Sequence, residues 1–313
     1  MTQKNHHCLY ETLQLYMQIE YNAYYEVSDI FNILGGHYFS FSSMDNPKVP
    51  TYRIKSNSIN FERFEEITPF KITRVTEQTI DESIYTTIHQ SANNKCQVVF
   101  VNCFYLPYDL QNYKKNIDNH MIIVKGYNAI NEEFTIIDSK YGENVVSKKD
   151  FILARQNTLQ NSPQYLSVEN KKPSHSNLIT KNILYYIKNN NQNFLSTGLN
   201  NIKIFRNNLI YIDQLEGIFR KIALNNLSKS FRHPHGPITT RSLLATSFKN
   251  SFSEINELYN HIAEHWLKFA NTLVRLQHGN VDIKKLLDLY DYLIANEEKG
   301  AITINKIEGE IHC

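Results

Sequence analysis

Cys8 is the residue of this chain best placed to act as a nucleophile. It stands where polar N-terminal residues give way to a helical pattern, in which apolar side chains recur on one face at Leu9, Leu13, Tyr16 and Met17. This pattern places the thiol in the first turn of a buried, amphipathic helix. The partial positive charge of a helix N-terminus favours the thiolate, which is the nucleophilic form of cysteine.

A nucleophilic cysteine needs a base, and the base needs a residue that orients it. His120 opens a β-branched apolar run that ends in a turn signal, which predicts a strand. Asp138 closes the next apolar run, and a polar connection of hairpin length, residues 128–132, separates the two. Antiparallel pairing would bring the first residue of one strand beside the last residue of the next. We therefore predict that Asp138 orients His120, although Asp118 is also a sequence neighbour of that histidine.

The order of these pieces resembles a known superfamily. A Cys-helix at the start, a later His-strand and a following strand that ends in Asp are similar to papain-like and NlpC/P60-like enzymes. Within that superfamily the chain resembles the butirosin-biosynthesis acyltransferase-like family, through His7-Cys8 and the glycine-rich stretch 34–39. It is also similar to the amide synthetases of closthioamide-type antibiotic assembly. The resemblance covers residues 1–155 by motif, and a helical C-terminal half is typical of this branch.

The oxyanion of a tetrahedral intermediate needs hydrogen-bond donors. The backbone N–H of Cys8 is one candidate, because the first N–H groups of a helix have no partner within it. A second donor is expected just upstream, from Asn5, His6 or His7, since the Gln3 spacing departs from the papain-like pattern. Gly36 has two interpretations: a glycine cap of the preceding short helix, or a backbone position that an acyl ligand approaches.

Composition excludes several other classes of protein. The chain has 313 residues, a net charge of +2 from 33 basic and 31 acidic residues, and 42% hydrophobic residues. This balance gives no reason to expect a nucleic-acid or membrane partner. No secretion signal precedes Cys8, and the four cysteines show no CxxC spacing, so we expect a cytoplasmic protein with reduced thiols. Cys96 and Cys103 lie in an apolar run and are interpreted as core thiols.

The second half of the chain changes in character. The composition changes near residues 156–176, where the segments 156–163 and 170–174 are interpreted as linker-like. Helical patterns then dominate over about 176–190, over 196–228 with a possible break, and over 239–277 and 281–296. His261 and His265 match an inverted zincin pattern, but the helix around them is explained as a bundle helix and no third ligand is evident, so no metal is predicted. The loop from Arg232 to Pro237, followed by Arg241, is an interhelical connection that could alternatively hold a phosphate.

These observations predict an α+β protein: a papain-like, NlpC/P60-like catalytic domain over residues 1–160 and a helical domain over 176–313. The resemblance implies an acyltransferase, or amide synthetase, of natural-product biosynthesis. It would move an acyl chain from an acyl or peptidyl carrier protein, through a Cys8 thioester, to a small amine. No bound cofactor is expected, because the phosphopantetheine arm belongs to the carrier. The alternatives are a cysteine peptidase or amidase that uses water, and a non-catalytic module that binds carrier proteins.

Overall fold

A computed structural model of the protein describes residues 7–44, 49–158, 162–171 and 179–308. These residues form two compact units. The first, here called the sheet unit, contains residues 7–30 and 61–171, and the second, the helical unit, contains 31–60 and 179–308. The predicted domains, 1–160 and 176–313, stay a prediction; the observed units differ from them because residues 31–60 group with the C-terminal helices.

The elements follow one another along the chain as α1 (Cys8–Tyr21), α2 (Val27–Ile33), β1 (Ser40–Met44), β2 (Thr51–Lys55), α3 (Glu62–Ile67), β3 (Phe70–Thr76), α4 (Ile80–Ala92), β4 (Gln97–Val101), β5 (His120–Asn128), β6 (Glu133–Asp138), β7 (Gly142–Ser147), α5 (Lys148–Gln156), β8 (Gln164–Asn170), α6 (Ile179–Asn193), α7 (Leu199–Asp213), α8 (Gly217–Arg232), α9 (Pro237–Ser247), α10 (Ser253–Gln277) and α11 (Ile283–Asn305). A short 3₁₀ segment (Cys103–Tyr105) follows β4, and a π-helical segment (Phe194–Gly198) joins α6 to α7. No described helix is both long enough and apolar enough to cross a bilayer.

The sheet unit is built on six strands in the order β3-β8-β4-β5-β6-β7, with every neighbouring pair antiparallel. All five residues of β4 are buried, whereas β6 alternates between buried and half-buried positions. A central strand that is covered on both faces has an apolar sequence with little alternation, and β4 has this pattern from Val98 to Val101. The helix α1 packs on β5, and the hydroxyl of Thr12 donates to the Met121 carbonyl at 3.3 Å.

The strand β8 (Gln164–Asn170) lies between the two segments interpreted as linker-like, 156–163 and 170–174, and was not predicted. This strand pairs with β3 along its whole length and with β4 at Val98 and Val99. The alternation of apolar and polar residues in β8 is short and is flanked by Asn, Ser and Pro residues, so the composition of the segment did not indicate a strand. The buried Arg155 helps to hold it in place, since the guanidinium donates to the Gln164 carbonyl and, at 2.6 Å, to the Ser83 hydroxyl.

The helical unit consists of the β1–β2 hairpin and the helices from α6 to α11. The pattern predicted as one helix over 239–277 is two helices, α9 and α10, because the chain turns between Phe248 and Phe252. The aromatic side chains of Trp266, Phe231 and Phe269 are fully buried and pack together, with Trp266 stacked on Phe231 at a ring separation of 5.1 Å. The 3-4 spacing of α10 therefore does form a bundle core, as predicted.

A charged cluster lies inside this core. The carboxylate of Glu297 is fully buried and accepts from Arg241 Nε at 2.8 Å and from Trp266 Nε1 at 2.7 Å, while His37 Nε2 lies 3.4 Å from its other oxygen. Burial would raise the pKa of Glu297, but the Arg241 charge and its hydrogen bonds lower it to about 2. Burial lowers the pKa of His37 to about 4. The cluster is thus a buried Glu–Arg pair beside a neutral histidine.

Candidate active site

Cys8 is the first residue of α1, as the sequence predicted. His7 precedes it in an extended conformation and its carbonyl accepts the first helical hydrogen bond, from the Glu11 N–H at 3.2 Å. The thiol is therefore carried by the first turn, where backbone N–H groups have no partner within the helix. Cys8 is half-buried, so the sulfur is held by the fold while part of the residue stays accessible.

His120 is the first residue of β5, where it pairs with Val101 of β4. The strand β6 runs antiparallel to β5, with Ile123 opposite Ile137, and this register brings the end of β6 to the start of β5. His120 Nε2 lies 2.6 Å from Asp138 Oδ2, and only 14% of the His120 side chain is exposed. The hairpin thus joins the two residues across neighbouring strands.

The carboxylate of Asp138 is completely buried but well supplied with donors. The Tyr108 hydroxyl donates to Oδ2 at 3.0 Å, and the Lys140 backbone N–H donates to Oδ1 at 2.8 Å. Burial would raise the pKa of Asp138, but the hydrogen bond and charge of His120, with these further donors, lower it. A buried carboxylate with three donors stays ionised and fixes the groups around it.

The imidazole of His120 interacts with both Asp138 and Cys8. Burial would lower the pKa of His120, but hydrogen bonds to Asp138 and Cys8, and the charges of those two groups, raise it to about 10. Because Nε2 is occupied by Asp138, Nδ1 is the nitrogen left for the sulfur. The imidazole of His120 therefore interacts with both a thiol and a carboxylate, and these two interactions favour its protonated form.

The alternative orienting residue, Asp118, is used elsewhere. Its Oδ1 accepts from Asn102 Nδ2 at 2.7 Å, and the same amide donates to Asn116 Oδ1 at 2.6 Å. Asp118 thus belongs to a network that holds the loop before β5. Cys103 is buried, as expected of a core thiol, and burial together with the nearby Asp109 raises its pKa.

Sequence reasoning missed the layer that supports Asp138. It predicted the strand that begins at His120 but gave Tyr108, in the loop before that strand, no role. In the structure Tyr108 contacts Asp138, and its ring meets Tyr141 edge-on at 5.9 Å. The Tyr141 hydroxyl donates to the buried Asp109 at 2.5 Å. The available signal was the neighbouring pair Tyr108 and Asp109, in the loop that leads into His120.

Asn5, His7 and Gly36 were predicted as oxyanion or substrate residues, and the structure describes only two of them. Asn5 lies outside the described residues, as do Gln3 and His6. His7 is buried, with its ring stacked on Tyr10 at 3.9 Å. Gly36 lies in the helical unit with φ +38°, and its N–H donates to the Phe31 carbonyl at 2.9 Å, which is a helix-capping bond. The capping interpretation therefore describes Gly36, whose N–H is not available to an oxyanion.

The two histidines of the zincin-like pattern contact other groups. His261 Nε2 lies 2.8 Å from the Tyr292 hydroxyl, and His265 Nδ1 donates to the His261 carbonyl at 2.9 Å. Within the part of the chain that the structure describes, no group of three or more His, Cys, Asp or Glu side chains could hold a metal ion. The phosphate interpretation of the 232–241 region fails at Arg241, because its guanidinium is buried against Glu297.

The fold and the site together define a mixed α/β protein in which a cysteine opens the first helix and a histidine–aspartate pair joins two neighbouring strands of the sheet. Comparison with known families gives a more particular result: residues 24–139 match the family described as "Butirosin biosynthesis protein H, N-terminal". This match confirms the resemblance to the butirosin-biosynthesis acyltransferase-like family. The matched range includes His120 and Asp138 but begins after Cys8. Comparison with curated proteins found no match.

Proposed function

We propose that this protein is an acyltransferase of antibiotic biosynthesis that forms an amide through a thioester on Cys8. The observation that carries the proposal is the hydrogen bond of His120 to Asp138 at 2.6 Å, together with the interaction of Cys8 with the same imidazole that helps to raise its pKa. The family match supports the broader part, an acyltransferase role in antibiotic biosynthesis. A six-stranded sheet with the nucleophile on a preceding helix supports the proposed papain-like fold.

In the first half-reaction the Cys8 sulfur attacks the carbonyl carbon of an acyl thioester presented on a carrier protein. The carbon–sulfur bond to the carrier breaks, and His120 gives its proton to the departing thiolate, which leaves as the carrier thiol. The first-turn N–H of Cys8 is the proposed oxyanion donor. Thioester exchange is close to isoenergetic, so the protein need supply only positioning and stabilisation of the oxyanion.

In the second half-reaction an amine attacks the acyl-enzyme, the Cys8 carbon–sulfur bond breaks, and His120 takes the proton of the amine. Acylation removes the Cys8 anion that helps to raise the pKa of His120, so only Asp138 continues to raise it. The imidazole therefore gives up its proton more readily in the acyl-enzyme than in the free enzyme. Thioester and amine become amide and thiol, with no other reactant.

Intact-protein mass spectrometry after mixing with butyryl-N-acetylcysteamine tests this proposal. We expect a butyryl adduct on the wild type and on Cys103→Ala, but none on Cys8→Ala. Addition of a primary amine should speed loss of the adduct and yield the amide. Discharge to free butyrate that no amine accelerates would favour a peptidase or amidase. The absence of any adduct from thioester or peptide donors would favour a non-catalytic carrier-binding module.

A further inference from the structure

A second concave site lies in the helical unit, along α10 and the start of α11. It encloses about 420 Å³, which is within the range of small-molecule sites. Its lining residues are Lys268, Asn271, Thr272, Arg275, Lys285 and Leu289. Three of these six carry a positive charge, so the electrostatic character of the cavity is decided by its cations.

The helices place these side chains together by their spacing. Positions 268, 271, 272 and 275 follow i, i+3, i+4 and i+7, which is one face of α10 over two turns. A short connection leads to α11, where Asp282 caps the helix and Lys285 lies in its first turn. The end of one helix and the beginning of the next thus bring Arg275 and Lys285 to the same cavity.

The cations of this cavity have no carboxylate partner among the described residues. Lys268, Arg275 and Lys285 are exposed, and none of them forms a salt bridge within 4.0 Å with a carboxylate oxygen of the described residues. Some exposed cations elsewhere are paired with carboxylates, for example Lys125 with Glu143 at 2.7 Å and Arg206 with Asp291 at 2.7 Å. What distinguishes this cavity is that three cations line it together, although the whole chain carries a net charge of only +2.

The cavity also contains one neutral hydrogen-bond donor, the side-chain amide of Asn271. Arg232 Nη2 donates to Asn271 Oδ1 at 2.5 Å, which fixes the amide and leaves Asn271 Nδ2 to donate to a ligand. Leu289 and the aliphatic stems of the lysines supply apolar contact. The cavity therefore combines cationic and N–H donors with an apolar wall.

We propose that this cavity binds a phosphate ester, with Lys268, Arg275 and Lys285 around the phosphate and Asn271 Nδ2 as a further donor. Arginine and lysine are the side chains that recognise phosphate oxygens, and the apolar wall suits the organic part of the ester. A free phosphorylated metabolite and a phosphopantetheine arm present the same chemistry. The proposal does not depend on acyl transfer by Cys8.

Isothermal titration calorimetry with inorganic phosphate, phosphopantetheine, pantetheine and coenzyme A tests it. Phosphopantetheine should bind the wild type at least about tenfold more tightly than pantetheine, because only the phosphate differs. Lys268→Gln/Arg275→Gln should abolish this difference. Lys249→Gln/Lys299→Gln removes two exposed charges outside the cavity and should retain it. Asn271→Ala keeps every charge and should weaken phosphopantetheine binding by a smaller factor.

Tighter binding of phosphopantetheine or coenzyme A than of inorganic phosphate supports the proposal, because the ester then uses the apolar wall as well as the cations. Equal affinity for inorganic phosphate and phosphopantetheine would show that the organic part makes no contact, and would overturn the assignment to an ester. The proposal is also overturned if no phosphate species binds the wild type, or if Lys268→Gln/Arg275→Gln binds as the wild type does. Thermal unfolding of each variant identifies any loss that comes from misfolding.

Discussion

Replacement of Asp138 by Asn tests the proposed orientation of His120 with almost no change of shape. In the native protein Oδ2 accepts from His120 Nε2 and the Tyr108 hydroxyl, and Oδ1 accepts from the Lys140 N–H. An asparagine has one acceptor and one donor, so in either orientation its NH₂ group faces at least one buried donor. The substitution also removes the charge that helps to raise the pKa of His120.

Two magnitudes follow from this geometry. One buried donor left without an acceptor costs about 1–3 kcal/mol, so the free energy of unfolding should fall by that amount. Loss of the oriented base should slow discharge of acyl-Cys8 to an amine by about 10²- to 10⁴-fold. The assay is single-turnover mass spectrometry of the butyryl enzyme, with chemical denaturation measured on the same samples.

Asp109→Asn is the matched control for this variant. Asp109 is also buried, and it accepts from Asn112 and Tyr141 instead of His120. We expect a similar loss of stability with much faster discharge than in Asp138→Asn. If Asp138→Asn discharged its acyl group within threefold of the wild-type rate, or if both variants slowed it equally, the assignment of Asp138 as the orienting residue would be refuted.

Three further predictions concern the thiols, a pKa and the buried charge. Brief treatment with iodoacetamide at pH 7, followed by peptide mapping, should label Cys8 before Cys103, whose pKa is raised by burial; earlier labelling of Cys103 would contradict the assigned nucleophile. In Cys8→Ala an NMR titration should place the His120 pKa below that of the wild type, because the Cys8 interactions that raise it are lost; an unchanged pKa would show that Cys8 does not interact with the imidazole. Glu297→Gln should lower the free energy of unfolding by about 3–5 kcal/mol in chemical denaturation, because it leaves the buried Arg241 guanidinium without its anion. The control Glu298→Gln alters an exposed ion pair and should lower it by less than about 1 kcal/mol. Similar losses in both variants would contradict the assignment of Glu297 as the anion that stabilises the buried Arg241.

Features that depend on local sequence were predicted correctly. The apolar periodicity after Cys8 predicts α1, and the two apolar runs around residues 128–132 predict the β5–β6 hairpin. Neighbouring strands joined by a short connection have few ways to pair, so the juxtaposition of His120 with Asp138 followed from chain order alone. The local pattern left two candidate orienting residues, and only the tertiary hydrogen bonds of Asp118 and Asp138 distinguish them.

Features that depend on contacts between distant parts of the chain were not predicted from the sequence. The strand β8 forms because β3 and β4, far away in the chain, supply its hydrogen-bond partners. Residues 31–60 group with the C-terminal helices, and Tyr108 contacts Asp138 across a loop. The local elements, and the candidate roles of Cys8 and His120, could be predicted from the sequence because periodicity and turn residues act within a few positions. The tertiary structure decided which polar groups are buried together, because the cost of burying a charge depends on partners that only the folded chain brings near.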